Sequence, residues 1–129
     1  EDTLSLHDAL PIWGTFFLPR LIGMQRATAL MFLGDKVNAL EAADMGMIYK
    51  CYADHEFELG YKNLAAQLAA MPTVGLGLTK QLLNESWSNN LEQQLLKEKT
   101  VQITAGKTQD FAEGVTAFLE KRKPSFKGQ

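Results

Sequence analysis

Cysteine, histidine, long apolar runs and an excess of either charge are all scarce in this chain, and each scarcity excludes something. Among 129 residues there is one cysteine, Cys51, which rules out an internal disulfide framework and a cysteine-based zinc site. Two histidines, His7 and His55, leave little material for a metal cluster, so no metal is expected. No apolar run approaches the roughly 20 residues that a membrane helix needs. Thirteen Lys plus Arg against 15 Asp plus Glu give a formal net charge of -2, which argues against nucleic acid as a main partner. The opening stretch, EDTLSLHDALPI, is acidic where a secretory leader would be basic, and a cytoplasmic setting is the expectation.

What is present is ordinary: 46% apolar and 22% charged residues, the proportions of a globular protein. The length suits one domain with a core of its own. Residues 1–12 carry no sustained period of 2 or 3.6, and the patterned sequence begins at Gly14. Thr15 is a candidate N-cap with Pro19 in the first turn, and Gly23 ends that short helix. Residues 24–33 read as a second helix closed by Gly34, and residues 39–45 as a third stopped by Gly46.

Residues 47–53 (MIYKCYA) form the one credible strand, and an isolated strand needs partners for its backbone polar groups. Asp54 is placed to cap a helix that Pro72 stops. Its Phe57, Tyr61, Leu64, Leu68 and Met71 step by four and three along one apolar stripe. Thr73 is expected to cap a helix to about Glu85, and Asn89-Asn90 to restart the pattern up to Ala105. Asp110 followed by Glu113 resembles a capping box for the last helix, with Phe111, Val115, Phe118 and Leu119 on its apolar face and Pro124 at its end. The fold class is therefore mainly α, with six or seven helices and one short strand.

Chemistry signals are thin. Asp35, Glu41 and Asp44 read as caps and solvated helix faces. Glu98, between Lys97 and Lys99, reads as half of a surface pair. Cys51 reads as a small buried hydrophobe. Gly75-Leu76-Gly77 has the wrong spacing for a dinucleotide turn and no strand before it. The C-terminus is more specific: Lys121, Arg122, Lys123 and Lys127 stand against Glu120 alone from residue 118 onward. Two readings stay open there. Cations favour a helix C-terminus, and a lysine can equally pair a phosphate as a point charge.

Three stretches carry a family resemblance. Gly14-Thr15-Phe16-Phe17-Leu18-Pro19-Arg20-Leu21-Ile22-Gly23 is similar to the Gly-Gly-Thr-x-x-Leu-Pro-Arg-x-x-Gly run of the crotonase superfamily, the enoyl-CoA hydratases and isomerases. Residues 39–48 (ALEAADMGMI) resemble that family's Ala-x-Glu-Ala-x-x-x-Gly-Leu-Val segment. Residues 113–128 (EGVTAFLEKRKPSFKG) resemble its terminal Glu-Gly-x-x-Ala-Phe-x-Glu-Lys-Arg-x-Pro-x-Phe-x-Gly. Residues 73–83 (TVGLGLTKQLL) look like the phenylacetate-pathway branch of ring-epoxide and oxepin-forming CoA isomerases.

The resemblance implies a ClpP/crotonase-like α/β fold with a β–β–α spiral core, of which this chain is the helical C-terminal part. It implies acyl-CoA thioester substrates, a homo-trimer or dimer of trimers, and an enolate held by two backbone N–H groups while carboxylates move protons. Coenzyme A enters as part of the substrate, and no other cofactor is implied. Phe118 and Lys121 fall where an aromatic and a lysine meet the adenine and 3′-phosphate of CoA. Phe16, Phe17 and Leu18 fall where an acyl pocket is lined, or where the core packs.

The catalytic acid of the isomerase branch falls on Pro11, and Trp13 stands at a family glycine, so no catalytic residue is expected in this chain. Residues 1–13 are accordingly expected to be a leader foreign to the family. Residues 14–129 are expected to be its C-terminal region: 14–53 the residual core part, 54–129 the helices that close over CoA and build the trimer. An oligomerisation or CoA-binding module without catalysis is the competing expectation.

Overall fold

The computed structural model describes residues 14–129, and Pro11, Trp13 and the rest of residues 1–13 lie outside the described residues. Seven helices run in order: α1 (Gly14–Ile22), α2 (Met24–Leu33), α3 (Ala39–Asp44), α4 (Asp54–Ala69), α5 (Thr73–Glu85), α6 (Leu91–Ala105) and α7 (Gln109–Leu119). The described residues fall into two units, one up to His55 and the other Glu56–Gln129.

In the first unit α1 packs on α2. α1 starts at Gly14, so Thr15 lies inside the helix rather than capping it, and Pro19 sits past the first turn. Pro19 has no N–H to give the Thr15 carbonyl, which costs the helix one bond. Arg20 supports the turn around it: Nη1 donates to the Phe16 carbonyl at 2.8 Å, and the guanidinium lies 3.8 Å from the Phe16 ring centroid. Gly23 separates the two helices with φ 85° and ψ 154°, a backbone region open essentially to glycine alone. It accepts the first bond of α2 (Ala27 N to Gly23 O, 3.1 Å) while its own N–H closes α1 on Pro19 O.

α3 opens with a capping box: the Asn38 side chain accepts from Glu41 N at 2.9 Å, and the Glu41 carboxylate accepts from Asn38 N at 3.1 Å. Glu41 is thus the cap partner that its sequence position suggested. After it, Met47 and Ile48 both donate to the Ala42 carbonyl. Residues 47–53 form bends and irregular chain, not the expected strand. The described residues contain no strand with which residues 47–53 could form a ladder.

In the second unit α5 packs on α6. Pro72, not Thr73, is the N-cap of α5. Asn90 caps α6 with a full box to Gln93. Gln94 reaches across to the Leu82 carbonyl at 3.2 Å, and Lys97 pairs with Glu85 at 2.6 Å, which together fix the α5–α6 register. Burial is sparse in both units: Ile22, Ala27, Ala42 and Ala117 are the buried apolar residues among those described. Of the expected α4 stripe, Phe57, Tyr61 and Leu68 are exposed and Leu64 is half-buried; Met71, also exposed, lies past the end of the helix at Ala69.

α7 departs most from its sequence reading. Thr108 is the N-cap, its hydroxyl accepting from Phe111 N at 3.1 Å. Asp110 lies in the first turn instead, 2% exposed. Its carboxylate accepts Lys127 N–H at 2.6 Å on Oδ1 and Gly128 N–H at 2.8 Å on Oδ2, and its own N–H donates to the Gln129 carbonyl at 3.1 Å. The terminal residues therefore fold back along α7 as a strap. Gly128, at φ 73°, lies so close to α5 that a Cβ there would meet Thr73 Oγ1 at 2.5 Å.

Asp110→Ala removes the charged acceptor of two part-buried backbone N–H bonds and should cost about 1–3 kcal/mol of unfolding free energy. Urea unfolding monitored by circular dichroism measures it. A change within a few tenths of a kcal/mol would show that the strap contributes nothing.

Candidate functional site

The site of interest is built where α7 ends. Its last residue is Leu119, and Glu120 follows as the C-cap. Lys121 then takes φ 56°, and it is the one non-glycine residue with positive φ among those described. Lys121 N donates to Phe118 O at 3.2 Å and Arg122 N to Ala117 O at 3.0 Å, so the turn closes on the last carbonyls of the helix. Gly more often fills this left-handed position, because a Cβ costs roughly 1–2 kcal/mol there.

Arg122 occupies the centre of the turn. Nη1 and Nη2 grip the two oxygens of Glu113 at 2.6 and 2.9 Å, and Nε donates to Glu120 Oε2 at 2.6 Å. Such a two-pronged pairing uses both edges of the guanidinium fork. Ser125 N adds a 2.7 Å bond to Glu113 Oε1. Glu113 is therefore not the capping-box partner that its spacing suggested. Asp110 and Glu113, three residues apart on one helix face, both receive the returning strap.

The partners hold the Glu113 carboxyl at about 2, well below its usual range; the Arg122 guanidinium is the main cause and the Ser125 N–H the next. The same contacts, Glu113 first, raise Arg122 further above its ordinary value.

Each residue proposed from the sequence can now be placed. Phe118 is 82% exposed, and Lys121 is exposed on the same turn. The ring of Phe118 borders an apolar cleft of about 430 Å³, walled by Pro72, Ala105, Phe111, Val115 and Phe126, with Phe126 packed over Gly114. Phe16, Phe17 and Leu18 stand on α1 in the other unit. Phe16 and Phe17 meet edge to face at 5.1 Å, both about half exposed, and Leu18 is half-buried. Consecutive helical residues point about 100° apart, so the three fan around α1 rather than share one wall.

Sequence reasoning missed the role of Asp110 and, for Arg122, read as structural together with Glu120, the second carboxylate that it binds, Glu113. The signal for Asp110 was available in its i,i+3 spacing to Glu113, but the partners lie 17 and 18 residues further along. Cys51 is half-buried with its thiol toward the Tyr52 carbonyl. Among the described residues no cluster of metal-ligating side chains occurs, and no helix is long and apolar enough to cross a membrane.

Because its folded value is depressed, Glu113 stabilises the turn fully above about pH 4.5, and that contribution fades as pH falls toward 2. A carboxyl-carbon NMR titration should place its midpoint near 2, and Arg122→Ala should move it toward 4.5. A midpoint already near 4.5 in the unaltered chain would contradict the pairing.

The sequence model of the enoyl-CoA hydratase/isomerase family matches residues 8–129, taking in part of the leader as well as everything after Gly14. The 1,2-epoxyphenylacetyl-CoA isomerase of Escherichia coli K12 is 43% identical over 116 residues, which cover 90% of this chain and 44% of that relative. An enoyl-CoA hydratase structure from Bacillus anthracis superposes with a TM-score of 0.83 at 33% identity, over 90% of this chain and 45% of that one. An enoyl-CoA hydratase/isomerase from Cupriavidus metallidurans CH34 gives 0.86 at 29% identity, over 94% and 46%. The chain thus spans less than half the length of the relatives it matches, and it belongs to the enoyl-CoA hydratase/isomerase family.

Proposed function

We propose that these residues supply the C-terminal helical part of an enzyme that isomerises or hydrates an acyl-CoA thioester. The observation that carries the reading is the α7 terminus, where an exposed aromatic, Phe118, and a cation, Lys121, share one turn. An adenine ring needs an aromatic face and a 3′-phosphate needs a point charge. The similarity to 1,2-epoxyphenylacetyl-CoA isomerase supports a substrate from phenylacetate breakdown, with fatty-acid breakdown the broader setting.

In this reading the enolate is held by backbone N–H groups outside residues 14–129, and the proton-moving carboxylate is not supplied by this chain, whose matching position is Pro11. Of Phe16, Phe17 and Leu18, which fan around α1, those that face the acyl group offer it apolar surface, and Phe16 lies under the Arg20 guanidinium. Coenzyme A arrives as part of the substrate, and enolate chemistry of this kind calls for no metal or redox group. A cytoplasmic homo-trimer, or a dimer of trimers, is the assembly we assign to the whole enzyme.

A second reading has its own support. On α4 and α7 the large apolar residues Phe57, Tyr61, Leu68, Phe118 and Leu119 are exposed, and large apolar surface left open to water marks interaction sites. On that reading the chain acts as an assembly and CoA-binding module without catalysis.

One experiment addresses both. The chain should bind CoA in calorimetry but leave crotonyl-CoA unchanged, and Lys121→Ala should weaken CoA binding about 3- to 10-fold. Saturable turnover of crotonyl-CoA would overturn the assignment of the acid and oxyanion groups to other sequence. CoA binding indifferent to Lys121→Ala would overturn the placement of the CoA site.

A further inference from the structure

A left-handed backbone at a residue that carries a Cβ persists only where its surroundings over-determine it. At Lys121 those surroundings are unusually explicit. Arg122 binds the carboxylate on one side of Lys121 (Glu120), the carboxylate nine residues earlier on the helix body (Glu113), and the Lys123 carbonyl at 3.3 Å. The clasp therefore ties the chain on both sides of Lys121 to α7 and leaves the Lys121 side chain out of the network. Ser125 N on Glu113 prevents the strap from pulling the turn open.

The charges separate the roles further. Within the clasp one guanidinium meets two carboxylates, so an approaching anion finds no net attraction there. Arg122 also has both edges of its fork committed, which leaves it poorly placed to take a phosphate. Attraction for an anion must come from the lysines outside the clasp, and Lys121 is the one whose backbone the clasp holds, a compact charge on a flexible stem whose approach direction is set by the backbone that carries it.

We propose that Arg122 and Glu113 are positioning residues: their ion pair locks Lys121 in the left-handed turn, and so presents its ammonium, on the turn that carries the Phe118 ring, to an adenosine 3′-phosphate. The ligand named here rests on the CoA reading above; the positioning itself rests on the geometry of the turn. Arg122 contributes to binding through Lys121 and not by touching the phosphate.

The test uses the 129-residue chain, its Arg122→Ala, Arg122→Lys, Glu113→Gln and Lys121→Ala variants, and the Lys121→Ala/Arg122→Ala double variant. Nitrogen-15 relaxation and calorimetric titration with adenosine 3′,5′-bisphosphate are the two readouts. In the unaltered chain the Lys121 amide should have an order parameter near 0.85, the value of rigid backbone. Arg122→Ala and Glu113→Gln should each drop it below about 0.6 at residues 120–122, while residues 110–118 stay rigid.

Bisphosphate affinity should fall about 3- to 10-fold with Arg122→Ala, and the double variant should bind no more weakly than Lys121→Ala alone. Arg122→Lys keeps the charge but loses the fork, so affinity should stay low. Full affinity in Arg122→Lys would overturn positioning in favour of simple charge. An unchanged Lys121 order parameter in both clasp variants, or additive losses in the double variant, would also overturn it. If Arg122→Ala does not fold, Glu113→Gln carries the same comparison, since a glutamine can still accept from Ser125 N. An unaltered chain with a rigid turn that takes no bisphosphate would overturn the CoA reading, while the order parameters still decide the positioning.

Discussion

A carboxylate at 2% exposure cannot stand without partners, and Asp110 is such a carboxylate. It lies in the first turn of α7, where the helix dipole favours negative charge. The partners it takes are backbone N–H groups of Lys127 and Gly128. That choice brings the end of the chain back to the start of its last helix. Everything at the α7 terminus follows from it: the reversal needs a tight turn after Leu119, the turn puts Lys121 at positive φ, and the returning strap delivers Ser125 to Glu113. Phe126 comes to rest over Gly114 and completes the wall of the apolar cleft.

This arrangement relies on polar contacts more than on a packed interior. Among the described residues the buried apolar side chains are small except for Ile22, and large ones such as Phe32, Tyr49 and Phe118 are exposed. Helices with so little buried surface depend on their ends being satisfied. The chain does this with capping boxes at Asn38 and Asn90, a hydroxyl cap at Thr108, and side-chain ties between α5 and α6. Relatives in the enoyl-CoA hydratase/isomerase family are about twice as long, and the matched region is part of a larger chain in them.

Much of the architecture was legible in the sequence because punctuation residues are local. Gly23, Gly34, Pro72, Asn90 and Gly106 mark helix ends within a residue or so, and the stripe in α4 has the expected period. The resemblance in residues 14–23, 39–48 and 113–128 pointed to the family that the comparisons show. What local pattern could not decide was competition between equivalent signals. Thr108 and Asp110 are both good N-caps, and only the distant Lys127 and Gly128 decide that Asp110 faces inward. Residues 47–53 have the composition of a strand, but strand formation is decided by a neighbour and not by composition. The partner of Arg122 was hidden for a related reason: in sequence it is one cation of a basic cluster, and in space it pairs with two carboxylates, one of them nine residues earlier.

On this proposal the terminal basic cluster divides into a clasp built on Arg122 and a presented cation at Lys121, and both depend on the strap being a folded element. Native-state amide hydrogen exchange reads that most directly. The amides of Ser125, Lys127 and Gly128, each bonded to a carboxylate, should be protected to the same degree as the amides in the middle of α7, and should lose protection together with them. Exchange of those three amides at the rate of an unstructured chain, with α7 still protected, would contradict the account.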